Sequence, residues 1–381
     1  MFAITIISRK SLSNNGIGKY FTVEITVVLC YGVANKNQGT NEMINRDNKV
    51  DLLKTIAVLC VITIHVTSYG WDRFTIGTFS WTANMFWASV TRAAVPLFLM
   101  CSGAIFLAPG RELTIKKLYT RYLPRVIAAM LVWAMAYKIS HMISGRSLNA
   151  SGLLQALKEV LIFNQEFHLY YIHIIILVYV YLPVIRLVTA NATKKQLEYC
   201  IAVWFALGIL YPTVGGFWPI SLISGFPRQW MINMTYAAIG YLILGYYVRY
   251  VSTFRRSHYL AMLIGGFLVV FFGTWYMCVR NGYFYDGFLG GMSVGVALMA
   301  AGISGVCPDI KSRPVEWCSG ASFCIYLVHV FFLHLFEKAG FTISFITPAL
   351  SAPVITAAIF LCSSAVCAVL SRIPIVNKWL I

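Results

Sequence analysis

Long apolar stretches alternate with short polar segments along nearly the whole chain after residue 50. Each stretch has roughly 17 to 25 residues, which is the length an α-helix needs to cross a bilayer. Backbone groups inside lipid must satisfy their own hydrogen bonds, so these stretches are predicted to be helices. We predict an all-α, polytopic membrane helical bundle of about ten transmembrane helices, at residues 50–69, 83–107, 122–141, 168–188, 197–213, 232–248, 259–279, 288–306, 321–337 and 351–371.

Composition supports this class. Hydrophobic residues make up 59% of the 381 residues and charged residues only 11%, whereas soluble domains carry about 25% charged residues. The net charge is +17, and when the loops are assigned alternately to two sides, one side receives 21 of the 30 Lys and Arg residues. The positive-inside rule therefore predicts that both termini face the cytoplasm. The membrane topology accounts for the excess of basic residues, so no nucleic-acid partner is expected.

The first 42 residues differ from the rest. The segment 20–34 is apolar but short for a span, and it contains Glu24. Met43 begins a short polar segment that precedes the first predicted helix. We divide the chain into an N-terminal extension, residues 1–42, and a membrane domain, residues 43–381. The sequence leaves open whether translation starts at Met1 or at Met43.

Ten cysteines are present, and eight of them lie in apolar runs. Cysteine in such surroundings behaves as a small hydrophobic residue. We therefore expect no disulfide framework.

The first predicted helix carries three ionisable side chains, Asp51, Lys54 and His65. Ionisable residues within a membrane span are functional candidates by default. Lys54 and His65 are eleven residues apart, or three helical turns plus about 20°, so they share one face and lie roughly 16 Å apart along the axis. Asp51 precedes Lys54 by one turn and is expected to pair with it. We assign these three residues to the candidate catalytic group, with His65 as its strongest member.

Further basic residues suit an anionic ligand. Arg92 lies inside the second predicted helix, near Pro96, and a buried guanidinium needs an anion or a watery cavity. Ser102 forms a small polar notch in the same helix. Arg121 and Arg125 stand at the cytoplasmic entrance of the third helix, where positive-inside charge and snorkelling are by themselves a sufficient explanation and a polyanionic substrate is the functional alternative. We place these four residues, with Lys54, in a donor-binding group.

Two more segments carry candidate site residues. Glu166 and His168 open the fourth predicted helix from the outer side, and Tyr326 and His329 lie within the ninth. Polar packing would give the same residue pattern, so these are weaker candidates. The chain contains no HExxH or CxxC motif, and no metal site is predicted.

At this point the residues resemble a known family, the acyltransferase-3 family of ten-helix bacterial membrane O-acyltransferases. Lys54, ten intervening residues and His65 resemble its R/K-x10-H motif. The blocks AVPLFLMCSG, EFHLYY and FCIYLVH resemble its VPLFF-x-x-SG, HLWF or HLWY, and IYLxH blocks, in the same order. Within the family, the chain resembles the branch that contains the enterobacterial common antigen O-acetyltransferase. It departs from the usual pattern at Lys54, at Tyr170 and in the wider spacing of Arg121 and Arg125.

The resemblance implies transfer of an acyl group, most often acetyl, from cytosolic acyl-CoA to a hydroxyl beyond the bacterial inner membrane. The expected partners are acyl-CoA as the donor substrate, a glycan or lipid-linked saccharide as acceptor, and membrane lipid. No tightly bound cofactor is expected. His65 would act as general base or carry the acyl group covalently.

Two other classes of function stay open. A purely structural or sensory membrane protein is one, but it would not need Lys54 and His65 on one face of a helix. A secondary transporter or flippase for a lipid-linked sugar or an anionic solute would also bury charges across a membrane. Such proteins usually contain two related halves with broken helices at matching positions. The chain shows no convincing internal repeat, which favours the enzyme.

Overall fold

The computed structural model describes residues 46–222 and 234–381. The boundary proposed at residues 42 and 43, and the choice between two start residues, lie outside the described residues. Within them the chain is helical and contains no β-strand. This confirms the all-α prediction.

Fifteen α-helices make up the described part of the chain. In order they are α1 (Asn48–Ser68), α2 (Phe79–Val90), α3 (Ala94–Phe106), α4 (Ile115–Lys117), α5 (Leu123–Ser144), α6 (Ala150–Leu161), α7 (Tyr170–Asn191), α8 (Lys194–Trp204), α9 (Tyr211–Val214), α10 (Met234–Tyr246), α11 (Arg256–Asn281), α12 (Val294–Val306), α13 (Arg313–Lys338), α14 (Pro348–Leu370) and α15 (Pro374–Trp379). Short π-helical turns at Leu118–Tyr122, Phe205–Leu210 and Tyr247–Val251 follow α4, α8 and α10, and a 3-10 turn at Phe167–Leu169 precedes α7.

Eight helical segments in the described ranges are long and apolar enough to cross a membrane: Asn48–Ser68, Phe79–Phe106, Ile115–Ser144, Phe167–Asn191, Lys194–Val214, Arg256–Asn281, Arg313–Lys338 and Pro348–Leu370. Each covers one predicted span, which confirms a polytopic helical membrane protein. The predicted span 232–248 starts outside the described residues. The span predicted at 288–306 was too long, because only Val294–Val306 is helical. Gly290 and Gly291 precede that helix, and glycine disfavours helical backbone.

The second predicted span is broken. Residues 91–93 separate α2 from α3, so Arg92 lies in the break and not inside a continuous helix as the sequence suggested. Pro96 has no amide hydrogen to donate to the carbonyl of Arg92, which removes the bond that would continue the ladder. The hydroxyl of Thr91 donates to the carbonyl of Trp87 at 2.8 Å and closes the end of α2. The break brings a cationic side chain into the middle of the span.

The core is built around α1, which packs against α13, α3, α14 and α2. A close approach of α3 to α10 depends on Gly103. A Cβ atom at that position would lie only 2.0 Å from the carbonyl oxygen of Leu242. Small residues allow helix backbones to meet in this way inside a membrane. The helix α3, which carries Ser102, is therefore held at backbone distance from α10.

The expectation that no cysteines pair was wrong for one pair. Cys324 of α13 and Cys367 of α14 form a disulfide, with their Cα atoms 5.9 Å apart. The two residues lie 43 positions apart in sequence, in separate apolar runs. Only the packing of α13 on α14 shows that they face each other, which is why sequence reasoning missed the bond.

Candidate functional site

His65 lies in the last turn of α1, half-buried, beside three other rings. Its imidazole stacks on His329 of α13, with the ring centroids 5.2 Å apart and the planes at 28°. Phe167 meets it edge-on at 5.1 Å, and His168 lies 6.5 Å away. Three histidines from three separate parts of the sequence thus meet at one end of α1. We call His65, His168 and His329 the imidazole cluster.

The 3-10 turn before α7 brings His168 into this cluster and buries its side chain completely. Tyr326 fixes the turn, because its hydroxyl donates to the main-chain carbonyl of His168. Tyr137 of α5 covers the His168 ring edge-on at 4.9 Å, while its own hydroxyl donates to the carbonyl of Leu327 at 2.6 Å. Two tyrosines therefore join α5, α7 and α13 around the cluster.

The orientation of His329 follows from its hydrogen bond. Its Nδ1 lies 2.6 Å from the main-chain carbonyl of Tyr326. A carbonyl oxygen only accepts, so Nδ1 must carry the proton, and in the neutral ring Nε2 keeps a lone pair. This Nε2 is buried, and no group in the described ranges bonds to it. The cluster therefore holds a buried acceptor atom with a defined tautomer.

Neither ring nitrogen of His168 has a hydrogen-bond partner among the residues that the structure describes. Buried polar atoms are nearly always paired in proteins, and each exception calls for an explanation such as a ligand or a water molecule. The cluster rings meet by stacking and by edge contacts. In the described parts of the chain, no group of three or more His, Cys, Asp or Glu residues could hold a metal ion.

Arg92 lies in the break between α2 and α3. Its guanidinium carbon lies 5.3 Å from the centroid of the Trp71 ring, which belongs to the turn that follows α1, six residues after His65. Its Nε is buried and finds no partner in residues 46–222 or 234–381. A cation with an unused donor thus lies near the end of α1 that carries His65.

At the other end of α1, Asp51 and Lys54 lie in different surroundings. Asp51 is buried, and its Oδ1 accepts a hydrogen bond from the Ser319 hydroxyl of α13 at 2.6 Å. Lys54 is half-buried and acts electrostatically on Cys101 of α3. Asp51 and His65 therefore both contact α13, one near each end of α1.

Comparison with known protein families bears on this arrangement. Residues 47–372 match the acyltransferase-3 family, described as an acyltransferase domain. The match covers most of the chain and contains every candidate residue described above. The chain belongs to the acyltransferase-3 family. No curated protein and no solved structure matches it.

The remaining assigned residues of this acyltransferase do not join the imidazole cluster. The Ser102 hydroxyl donates to the carbonyl of Phe98 within α3, at 2.9 Å. Arg121 is exposed in the π-helical turn before α5. Arg125 donates through Nη2 to the main-chain oxygen of Ile381. Their assignment to the donor-binding group stays a prediction, and Arg125 would have to give up this contact to hold a phosphate.

A cavity of about 170 Å³ opens between α1, α3, α10 and α12. Lys49, Cys101 and Arg249 are among its lining residues, and Arg249 is paired with Asp47 at 2.6 Å. Close by, burial raises the pKa of the Cys307 thiol to about 11. The thiol therefore stays protonated at neutral pH and donates to the carbonyl of Lys49 at 3.7 Å. The walls are polar and basic on the side predicted to be cytoplasmic.

Further ionisable groups of this acyltransferase lie beyond the imidazole cluster. Glu166 lies 2.5 Å from His141 of α5, with only 14% of its side chain exposed. His141 in turn packs against His334 of α13 at 5.2 Å. Glu159 lies on α6, outside the membrane spans, and its carboxylate accepts hydrogen bonds from Lys138 and Gln155, which lower its pKa.

Sequence reasoning missed several residues that surround the cluster. Tyr137 and Phe167 contact its rings directly, and Trp71 contacts Arg92. Ser319, which bonds to Asp51, was also missed. Aromatic residues are common at membrane interfaces and in apolar spans, so their positions in the sequence carried no distinguishing signal.

Proposed function

We propose that this membrane acyltransferase is an O-acetyltransferase of the bacterial inner membrane. Its donor substrate is acetyl-CoA, which enters from the cytoplasm. Its acceptor is a hydroxyl of a glycan or lipid-linked saccharide on the opposite side. Transfer takes place at the imidazole cluster, with His65 as the reacting base.

The observation that carries this proposal is the set of unpaired lone pairs beside His65. A sugar hydroxyl is a hydrogen-bond donor, and Nε2 of His329 is a buried acceptor with no partner in the described residues. Leaving such an atom unpaired costs about 1–3 kcal/mol. A hydroxyl that enters the cluster would satisfy it and be held next to the His65 ring, which stacks on His329.

The transfer requires one proton acceptor and one proton donor. His65 takes the proton as the acceptor hydroxyl attacks the thioester carbonyl carbon, and a new carbon–oxygen bond forms. When the carbon–sulfur bond then breaks, the CoA thiolate recovers that proton from the imidazolium. An imidazole can do both because its neutral ring carries one N–H and one nitrogen lone pair, and the lone pair can bind and release a second proton. General acid–base catalysis of this kind is worth about 10²–10⁴-fold.

The proposed binding of the donor depends on positively charged side chains. Coenzyme A carries phosphates, and the cavity beside Lys49 and Arg249 offers cations at the predicted cytoplasmic end. Lys54 lies one helical turn further along α1 than Val50, which lines this cavity. Lys54 would therefore meet the donor between its phosphates and its thioester, with Asp51 and Ser319 supporting that part of α1.

The experiment uses the full chain reconstituted in sealed vesicles that contain a lipid extract from the host's membranes. Acetyl-CoA labelled in its acetyl group is supplied on one face at a time. We expect label to appear as base-labile ester in the lipid or glycan fraction, and only when the donor meets the predicted cytoplasmic face. Protein-free vesicles are the control.

The results separate the two classes of function. Flipping of a lipid-linked saccharide across the same vesicles, without ester formation, would replace the enzyme with the transporter. Mass measurement of rapidly quenched protein tests the general-base role, because a covalent acyl-histidine adds 42 Da, about one acetyl group, to the chain. We expect no such adduct on the chain during turnover.

A further inference from the structure

Trp71, six residues beyond His65, is unused by the mechanism above. It lies in the turn that leaves α1, where Gly70 packs so closely against α2 that a Cβ atom would be 2.7 Å from the Asn84 side chain. Asn84 itself donates to the carbonyl of Thr67 at 3.2 Å. The turn is therefore fixed against α2, and the position of the indole is fixed with it.

The Trp71 ring contacts one aromatic ring and one cation. It stacks on Phe284 of the loop between α11 and α12, with centroids 4.7 Å apart and planes at 21°. The Arg92 guanidinium carbon lies 5.3 Å from its ring centroid. A guanidinium within about 6 Å of an indole is attracted by the ring electrons, most strongly where water is excluded. Trp71 thus links the α11–α12 loop to the cation in the helix break.

The contact with Trp71 holds the Arg92 guanidinium in place but uses none of its hydrogen-bond donors. Its Nε is buried and has no hydrogen-bond partner within the described ranges. Trp71 holds it near the end of α1 that carries His65. A buried N–H donor on a cation, beside a candidate base, suits one feature of acyl transfer in particular, namely the negative charge that develops on the carbonyl oxygen.

We propose that Trp71 is a positioning residue that holds Arg92 beside His65, so that the Arg92 Nε–H binds the carbonyl oxygen of the thioester as it becomes an oxyanion. This inference rests on the proposed acyl transfer. The acceptor oxygen bonds to the carbonyl carbon, the electron pair of the double bond moves to oxygen, and Arg92 stabilises that charge. The pair then returns as the carbon–sulfur bond breaks. Trp71 itself touches no reacting atom.

A double-mutant cycle on the reconstituted full chain tests this role, with acetyl-CoA and the host lipid extract as substrates. Arg92→Ala is expected to lower kcat by about 10²–10³-fold, the usual cost of losing an oxyanion donor. Trp71→Ala is expected to lower kcat about tenfold, with a change of less than about threefold in KM for acetyl-CoA. Because Trp71 acts through Arg92, the double variant should lie within about twofold of Arg92→Ala.

A conservative variant supplies a second criterion. Trp71→Phe keeps an aromatic face and removes the indole N–H, so it should recover at least about a third of the wild-type kcat. Trp317→Ala is the matched control, since Trp317 lies on α13 with 45% of its side chain exposed. Thermal unfolding of each variant shows whether the chain has folded, and Trp71→Phe keeps the test usable if Trp71→Ala does not fold.

Three results would overturn the assignment. Multiplying losses in the double variant would mean that Trp71 acts independently of Arg92. An equal loss in Trp71→Phe and Trp71→Ala would mean that the indole N–H, not the ring face, matters. A Trp71→Ala loss confined to KM would place the residue in binding. If wild-type protein forms no ester at all, the proposed function fails instead, and the two failures are thereby distinguished.

Discussion

The two ends of the α1 and α13 pair differ in how their polar groups are satisfied. At the end predicted to be cytoplasmic, Asp51 is buried and accepts a hydrogen bond from Ser319. At the other end His65 stacks on His329, whose Nε2 has no partner in the described chain. Buried polar atoms without a partner are rare, and each calls for an explanation. The first end thus holds a paired carboxylate that joins α1 to α13, and the second offers a buried acceptor atom that the proposed transfer uses.

The largest effect should come from the imidazole cluster. His329→Leu keeps the volume of the side chain and removes the lone pair that would hold the acceptor hydroxyl. We expect kcat to fall by about 10²-fold, measured as ester formed in the reconstituted assay. His334→Leu is the matched control, because His334 lies five residues further along α13 and contacts His141 outside the cluster. Equal losses in the two variants would contradict the special role of the cluster.

A smaller effect is expected at the supporting end. Asp51→Asn keeps the shape of the side chain and removes its charge, so the Ser319 hydroxyl loses a charged acceptor. We expect the free energy of unfolding to fall by about 1–3 kcal/mol, while kcat falls by less than about tenfold. Thermal unfolding in detergent and steady-state kinetics measure the two quantities. A loss of kcat as large as that of His329→Leu would show that both ends take part in the chemical step.

The disulfide between Cys324 and Cys367 stabilises the packing of α13 on α14 without a polar side chain, so its removal tests stability separately from catalysis. Cys367→Ser removes the bond between α13 and α14 and is expected to lower the free energy of unfolding by about 2–4 kcal/mol. The kcat should change by less than about twofold, since neither sulfur contacts the cluster rings. Cys362→Ser on the same helix is the control, because Cys362 is free. If alkylation and mass spectrometry find Cys324 and Cys367 both reduced in the native protein, the bond is absent.

The smallest effect belongs to the ion pair between Lys138 and Glu159, of which Glu159 lies outside the membrane spans. The pKa of Glu159 is lowered by its hydrogen bond to Lys138, so its contribution to stability is present above the ordinary carboxylate pKa. That contribution is lost as the pH falls through the lowered value. Glu159→Gln should therefore remove a small part of the acid-dependent loss of stability and leave the pH profile of kcat unchanged. A shifted kcat profile would place this pair in the chemical step.

Much of the fold follows from hydrophobicity alone. Stretches such as 50–69 and 351–371 are helices because lipid leaves the backbone no other way to satisfy its hydrogen bonds. The break at Arg92 was less predictable, since Pro96 in a membrane helix can kink the chain without ending the helix. The disulfide required knowledge of which face of α13 meets α14, which no local pattern provides.

The candidate site was predictable where one helix carried the information. Asp51, Lys54 and His65 stood out because charged groups are rare inside a span. Tyr137, Trp71 and Ser319 did not stand out, because their importance comes from tertiary neighbours. A tryptophan such as Trp71 is common in loops at a membrane surface. Only the structure shows that the Arg92 guanidinium carbon lies 5.3 Å from the centroid of its ring.

The central claim is that His65 takes the proton of the acceptor hydroxyl. Its most direct test is the rate of ester formation by His65→Asn, compared with His258→Asn, whose histidine is exposed at the start of α11. The account predicts that kcat falls by about 10²–10⁴-fold in the first variant and stays within about twofold in the second. Undiminished ester formation by a folded His65→Asn protein would contradict it.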